Sequence, residues 1–220
     1  PPAVLLFTPP SLPPADHHLL PSAALAITAI CTSRKLHMLA IAERFADSPP
    51  TIRLVQVRGN DQLHPVATLR APASAPAAEF TALSFSANGR YLAALVGAPT
   101  PTLLVLDWAD SDAGTTIATV PLPRRFPHVT YSPVRDDFLL VHAPKTTIAV
   151  AISTPQPDVA RVSAPLTTTL PADVTAVAWN GADHLLAGHE DGSLSVVTLS
   201  VAPVSLVLAE HASLSSEESL

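Results

Sequence analysis

The sequence predicts an all-β fold made of four similar sheets, each with four short antiparallel strands. The clearest sheet lies in residues 79–120, where four apolar runs are separated by turn signals. Asn88-Gly89, between the first two runs, is a strong hairpin signal because both residues tolerate positive φ. One such sheet has two faces to cover and is not stable alone in water, so neighbours of the same kind are expected.

Three further copies of the segment Thr81–Ser86 indicate where those neighbours lie. The copy that starts at Thr175 is the most similar, and weaker copies start at Thr28 and Pro127. The four starts are 53, 46 and 48 residues apart, and a four-stranded propeller blade repeats about every 40–50 residues. No apolar period of 3.6 residues persists for three turns, which excludes long amphipathic helices. We therefore predict a β-propeller with four visible blades.

Proline-rich and polar breaks divide the chain into these blades. The first residues are expected to form the outer strand of a preceding blade, and a Pro-rich loop then leads into the first full blade. The last residues are small, polar and acidic, which is typical of a frayed tail. The predicted segments are 1–8 (outer strand), 9–70 (first blade with its leading loop), 71–123 (second blade), 124–165 (third blade), 166–208 (fourth blade) and 209–220 (polar tail).

Short apolar runs between turn residues mark the strands inside each blade. Asp47-Ser48-Pro49-Pro50 precedes the third strand of the first blade, and His189–Gly192 forms the inner hairpin turn of the fourth. The predicted strands are 25–30, 36–42, 52–57 and 66–69; 80–85, 91–96, 103–108 and 115–120; 129–131, 138–141, 147–152 and 159–162; and 174–179, 184–187, 193–199 and 204–208.

The repeat also predicts which side chains face the cores between blades. The four copies begin at equivalent positions of the innermost strands, and apolar residues two and four positions later share one face because strands alternate with period two. A slip of one residue would turn the whole set to solvent. The residues expected in the cores are Ile30, Leu83, Phe85, Val129, Tyr131, Val177 and Trp179.

The composition argues against several classes of partner. The net charge is −6 and the few Lys and Arg residues are scattered, so neither nucleic acid nor an anionic membrane is an expected partner. No run of about 18 apolar residues that would cross a membrane is present. Cys31 is the only cysteine, which excludes an internal disulfide and fits a reducing compartment.

No motif in the sequence predicts a catalytic, cofactor-binding or metal-binding residue. The nine histidines include one adjacent pair, His17-His18, and none has the spacing of a preset metal site. Phosphate loops, nucleophile elbows and zinc-protease motifs are missing. Asp107-Trp108 is expected to serve packing, and Asp191 is expected to bond backbone donors in its turn. We therefore predict that the chain is not an enzyme and has no cofactor.

Several of these runs resemble the large WD-repeat cilia- and flagella-associated proteins. Phe80–Leu92 is similar to the start of a WD repeat, F-x-x-L-x-F-S-P-D-G-K-Y-L. Gly97–Trp108 resembles the G-x-P-x-x-x-L-x-x-W-x-W run of that group, with Leu106 where the group has Trp. Ala40–Glu43 with Pro50–Ile52, and Asp183–Gly192, match two further runs. The resemblance covers roughly residues 3–199.

This resemblance implies a non-enzymatic scaffold of the ciliary or flagellar axoneme near the inner dynein arms. Its implied partners are other axonemal proteins, associated with a dynein arm or with doublet microtubules, within a large complex. Two alternatives remain open: a generic cytosolic WD-repeat adaptor, and the propeller domain of an enzyme. Because propellers most often have more than four blades, we expect these residues to be part of a larger propeller and aggregation-prone when expressed alone.

Overall fold

The computed structural model describes most of the chain between residues 24 and 213. The described ranges are 24–58, 62–74, 76–109, 114–144, 146–156, 159–162, 166–181, 183–201 and 204–213. The predicted outer strand in residues 1–8, the leading loop up to residue 23, and residues 214–220 of the predicted tail lie outside the described residues. In the described ranges, no helix is long and apolar enough to cross a membrane.

The described residues form four antiparallel sheets like propeller blades, which confirms the predicted fold class. In the first two sheets each strand pairs with the next one along the chain. The first sheet contains β1 (Ala26–Ser33), β2 (Met38–Arg44), β3 (Thr51–Arg58) and β4 (Gln62–Arg70). The second contains β5 (Glu79–Phe85), β6 (Tyr91–Ala98), β7 (Thr102–Asp107) and β8 (Thr115–Pro121).

The third and fourth sheets follow the same meander, with one additional strand in the third. The third sheet contains β9 (His128–Tyr131), β10 (Phe138–Ala143), β11 (Thr146–Gln156), β12 (Val159–Val162) and β13 (Leu166–Thr169). The fourth contains β14 (Val174–Asn180), β15 (His184–His189), β16 (Ser193–Val201) and β17 (Val204–Ser213).

Two boundaries differ from the sequence prediction. Leu166–Thr169 pairs with Thr146–Ala149 of the long strand β11, so it belongs to the third sheet and not to the fourth blade predicted over 166–208. β17 extends to Ser213, which pairs with Ser193, so the strand enters the tail predicted over 209–220. In both places a neighbouring strand offers backbone donors and acceptors, and pairing with them does not require an apolar pattern in the added residues.

The first two sheets share one hydrophobic core. Because side chains alternate across a strand, one face of each sheet contributes every second residue to this core. Burial of that apolar surface is the main stabilising term, at about 25 cal/mol per Å². Its members include Ala40, Ala42, Ile52, Leu54 and Leu69 from the first sheet and Leu83, Phe85, Leu92, Ala94, Leu104 and Leu106 from the second.

The third and fourth sheets share a second core. Phe138 and Leu140 of β10 lie in it together with Leu185, Ala187 and Val197 of the fourth sheet. Phe138 also contacts Trp179 edge to face, with ring centroids 6.5 Å apart. Edge-to-face pairs of this kind add to the stabilisation from burial. This core therefore holds the two sheets together as neighbours.

The predicted register holds for six of the seven residues expected in the cores. Leu83 and Phe85 pack in the first core, Val177 and Trp179 pack against the second, and Val129 and Tyr131 are buried. Ile30 is the exception, since it is 48% exposed. Ile30 pairs with Ile41, on the face of the first sheet that points away from the second sheet.

Candidate functional site

The pair Asp107-Trp108 stabilises a hairpin turn of the second sheet. Arg90 Nε and Nη2 donate to Asp107 Oδ2 at 2.8 and 2.6 Å, and the Ala109 amide donates to Asp107 Oδ1 at 3.2 Å. The Trp108 indole packs against the first core, and its Nε1–H donates to the Gly89 carbonyl oxygen at 2.6 Å. Both residues therefore make structural contacts, Trp108 by packing against the core shared with the first sheet and Asp107 by accepting hydrogen bonds in the turn.

Asp191 and His189 form a second polar network at the inner turn of the fourth sheet. Asp191 Oδ1 accepts hydrogen bonds from the Ser193 amide at 2.9 Å and the Ser193 hydroxyl at 2.6 Å. His189 Nδ1 lies 3.1 Å from the Ala172 carbonyl oxygen, and Nε2 lies 2.6 Å from the Ser195 hydroxyl. A carbonyl oxygen only accepts, so a neutral His189 donates from Nδ1 and accepts the Ser195 hydroxyl proton at Nε2. The network anchors the turn.

Cys31 and the described histidines do not gather into a metal-binding group in the part of the chain that the structure describes. His184 and His189 stand at opposite ends of β15, and each contacts a side chain of β16. Cys31 packs against the first core, and burial raises the pKa of its thiol to about 12. The thiol is therefore protonated, and thus weakly nucleophilic, at neutral pH. His17-His18 lies outside the described residues.

A cavity of about 370 Å³ lies between the innermost strands of the third and fourth sheets. Its lining includes His128 of β9 and His142 of β10, which are cross-strand partners with stacked rings 4.8 Å apart. His142 is buried, and its Nδ1 has no hydrogen-bond partner. Burial, followed by the neighbouring His128, lowers the pKa of His142 to about 4. The cavity therefore presents a neutral imidazole at physiological pH.

Apolar and charged side chains meet on the face of the first sheet that points away from the second sheet, which we name the far face. Leu39, Ile41 and Val55 form a small buried cluster there. Glu43, on the same face, is only 1% exposed and accepts a hydrogen bond from Arg53 Nη2 at 2.9 Å. The far face thus combines an apolar centre with a buried ion pair on the same sheet.

The sequence did not single out Arg53, His128 or His142, and it marked Glu43 only as part of a run that carries the resemblance and not as half of an ion pair. Their partners lie on adjacent strands, so the pairs appear only when the register is known. One weak signal was present. Arg53 is the one charged residue inside the run TIRLVQV, where a charged side chain requires a partner or solvent.

Comparisons with solved structures support the fold. The chain is similar to a Lactobacillus plantarum protein, with 15% identity, a TM-score of 0.63, and coverage of 93% of this chain and 60% of that one. It also resembles the Pseudomonas aeruginosa periplasmic gluconolactonase PpgL, with 18% identity and a TM-score of 0.59. That match covers 87% of this chain and 58% of the gluconolactonase. A third similar structure is the Cps50 (Swd1) β-propeller domain of Myceliophteria thermophila. Its identity is 18% and its TM-score 0.59, and the match covers 88% of this chain and 56% of that one.

These likenesses show a β-propeller-like fold. The chain spans less than two thirds of the length of each of these structures. At identities below 20% they carry no information on activity. No protein-family model and no curated protein matches the sequence.

Proposed function

We propose that this chain is a non-catalytic propeller module that docks other proteins. The observation that carries the proposal is the exposure of three apolar side chains in or directly before the first sheet, in the described residues: Leu25 next to β1, Ile30 of β1 and Val66 of β4. Leu25, Ile30 and Val66 are 62%, 48% and 40% exposed, although Leu83, which occupies the position equivalent to Ile30 in the second sheet, is buried against a neighbouring sheet. Exposed apolar groups at positions that normally contact another sheet mark a surface for a protein partner.

The polar features of the described residues fit the same role. Asp107 of the second sheet and His189 and Asp191 of the fourth are engaged in hydrogen bonds within their own sheets, so they stabilise the fold and do not form part of the proposed surface. A rigid scaffold that presents edges and loops is the usual basis of protein docking. Docking by the first sheet therefore requires no chemistry from these groups.

We further propose that the docking partners are axonemal proteins near the inner dynein arms. The support is the sequence resemblance of Phe80–Leu92, Gly97–Trp108 and Ala40–Glu43 to the cilia- and flagella-associated group. In the structure Phe80–Leu92 covers most of β5, the following turn and the start of β6, Gly97–Trp108 covers the end of β6 and all of β7, and Ala40–Glu43 lies within β2. The runs therefore fall on the strands and hairpins of the repeat.

The test combines fractionation with site-specific cross-linking. The full 220-residue chain, carrying a photo-activated residue in place of Ile30, is expressed in ciliated cells, and axonemes are extracted with detergent and salt. We expect the chain to stay with the axonemes and to form cross-links there to doublet or dynein-arm proteins. The control places the probe at Val134, an exposed apolar residue in the turn between β9 and β10 of the third sheet.

Two results would overturn the proposal. Recovery of the chain in a soluble cytosolic pool would contradict the axonemal role and favour a generic adaptor. Equal cross-linking from positions 30 and 134 would contradict docking through the first sheet.

A further inference from the structure

A second cavity, of about 550 Å³, opens on the far face of the first sheet. Thr51 and Arg53 of β3 and Thr68 and Arg70 of β4 line it. The register pairs Thr51 with Arg70 and Arg53 with Thr68. Side chains directly opposite each other on one face lie about 4.5–5.5 Å apart at Cβ. Two guanidinium groups and two hydroxyls therefore alternate across the floor of the cavity.

The loop between β2 and β3 closes one side of this cavity. Phe45, Ser48 and Pro49 line it from the loop, and Pro65 lines it from β4. The walls thus offer apolar surface and a further hydroxyl next to the charged floor. A volume in the range of roughly 300–1,000 Å³, with mostly apolar walls and a few convergent polar groups, is typical of ligand sites in proteins.

Arg53 is held in place by the buried Glu43. The contact from Arg53 Nη2 to Glu43 Oε2 is 2.9 Å, and the Arg53 side chain is largely withdrawn from solvent. This contact uses one nitrogen of a guanidinium group that has five N–H donors. A fixed, planar set of donors loses little conformational entropy when it binds an oxyanion. The far face therefore contains a pre-oriented cation at the cavity floor.

The charges of the cavity favour an anion. Arg53 and Arg70 are the charged residues among those that line the cavity, and the buried Glu43 offsets the charge of Arg53, so the lining itself keeps an excess of positive charge at Arg70. This excess occurs in a chain whose net charge is −6. A local field opposite in sign to that of the whole protein concentrates anionic ligands at that point.

We propose that this cavity binds a phosphorylated serine or threonine side chain of a docking partner. The proposal rests on the docking function above, and it specifies the chemistry of the partner. A phosphate monoester has three strong acceptor oxygens and a charge near −2, so it can engage both guanidinium groups and the adjacent hydroxyls together. A carboxylate has two oxygens and one charge. Phe45 and the prolines then contact the residues that flank the phosphate.

The test measures binding of N-acetyl phosphoserine amide to the full chain, with the serine and glutamate analogues and inorganic phosphate as comparison probes. Amide chemical shifts report the location, and titration gives the dissociation constant. We expect the phosphoserine probe to shift the amides of Thr51, Arg53, Thr68 and Arg70, and to bind at least about tenfold more tightly than the glutamate analogue. Binding weakens with added salt because the attraction is between charges.

Variants locate the site and keep the test decisive. Arg70→Gln should weaken phosphoserine binding about tenfold or more, because it removes one charged donor. Arg58→Gln, an exposed position on the same strand as Arg53 but outside the cavity, should leave binding unchanged. Arg53→Gln leaves the buried Glu43 without its partner and can disturb folding. For this reason Arg70→Gln, at an exposed position, is the decisive variant.

The outcomes separate this proposal from the proposed function. Equal affinity for the phosphoserine and glutamate probes, or wild-type affinity in Arg70→Gln, would refute phosphate recognition at this cavity. If axonemal association and cross-linking from position 30 persist in that case, the docking function stands without it. Tight phosphoserine binding in a chain that does not associate with axonemes would support the cavity and refute the axonemal role.

Discussion

Trp108 and Gly89 are joined by a hydrogen bond that closes the inner hairpin of the second sheet onto the end of β7. The indole Nε1–H donates to the Gly89 carbonyl oxygen at 2.6 Å. Gly89 is buried and has φ of 81°. A Cβ at this position would lie 2.4 Å from Leu36 Cδ1 of the first sheet. The turn is therefore held from both sides, by Trp108 on its own sheet and by Leu36 on the neighbouring one.

The first prediction is that Gly89→Ala lowers the free energy of unfolding by about 2–3 kcal/mol. Alanine is strained at a positive φ, and its Cβ would also displace the Leu36 side chain. Gly192→Ala is the matched control, because Gly192 has φ of 80° but nothing within 4 Å of its Cβ position. That control should cost only about 1–2 kcal/mol. Urea unfolding of both variants measures the difference, and equal losses would show that Leu36 does not restrict the turn.

The second prediction concerns the indole itself. Trp108→Phe keeps most of the apolar contact with the first core but removes the donor to Gly89. We expect a loss of about 1–2 kcal/mol in the free energy of unfolding, because the buried carbonyl oxygen loses its partner. Denaturant unfolding, followed by circular dichroism, measures this value. A stability equal to that of the wild type would mean that water replaces the indole.

The third prediction is a coupling between Glu43 and Arg53. A double-mutant cycle with Glu43→Gln and Arg53→Met should give an interaction energy of about 1–3 kcal/mol, because Glu43 is buried and a broken pair leaves a buried charge. The matched control is the more exposed pair of Arg135 and Asp137, at 2.7 Å, for which we expect at most about 1 kcal/mol. Similar coupling in both pairs would contradict the role of burial.

The fourth prediction is a pH dependence that arises from His142. Its pKa in the folded state is about 4 and its ordinary value is 6.5, so folding favours the neutral form. The contribution to stability is complete above pH 6.5 and is lost as the pH falls towards 4. It amounts to about 3 kcal/mol at most, at about 1.4 kcal/mol per pH unit.

Unfolding of the wild type and of His142→Phe between pH 4 and 7 measures this effect. The phenylalanine ring keeps the stack on His128 without a titrating group, so the variant should lose the corresponding slope. An unchanged slope in the variant would show that other groups produce the acid sensitivity.

The fifth prediction compares two equivalent positions of the repeat. Ile30→Ser should change stability by less than about 0.5 kcal/mol, because the side chain is already half exposed, and should reduce self-association of the isolated chain. Leu83→Ser should destabilise the fold by about 3 kcal/mol, because it places a hydroxyl in the first core. Light scattering and urea unfolding measure the two effects. An Ile30→Ser variant that aggregates as much as the wild type would show that the exposed Ile30 side chain does not cause the self-association.

Much of the fold could be predicted because local patterns and the repeat agreed with each other. Asn88-Gly89 predicted the hairpin between β5 and β6, and the equivalence of Thr81 and Thr175 predicted which face of β14 carries Val177 and Trp179. The additional strand Leu166–Thr169 was not predictable in the same way. It pairs with the first residues of β11, Thr146–Ala149, while the later residues of the same long strand pair with β12.

The candidate binding features were much less predictable. Arg53, Arg70, Thr51 and Thr68 are ordinary polar residues of two strands in the sequence, and only the register places them around one cavity. The same holds for His128 and His142, which are 14 residues apart in the sequence and stack across neighbouring strands.

The type and the number of the described sheets follow from the order of the residues, because apolar residues alternate with a period of two along each strand and the strand pattern repeats about every 48 residues. Which of two equivalent residues is buried depends instead on the packing of the folded chain. Ile30 and Leu83 have the same place in the repeat, yet Leu83 packs in the core shared by the first two sheets and Ile30, on the far face, is half exposed. The tertiary structure also decided where charges meet, since Glu43 and Arg53 become partners only through the pairing of β2 with β3.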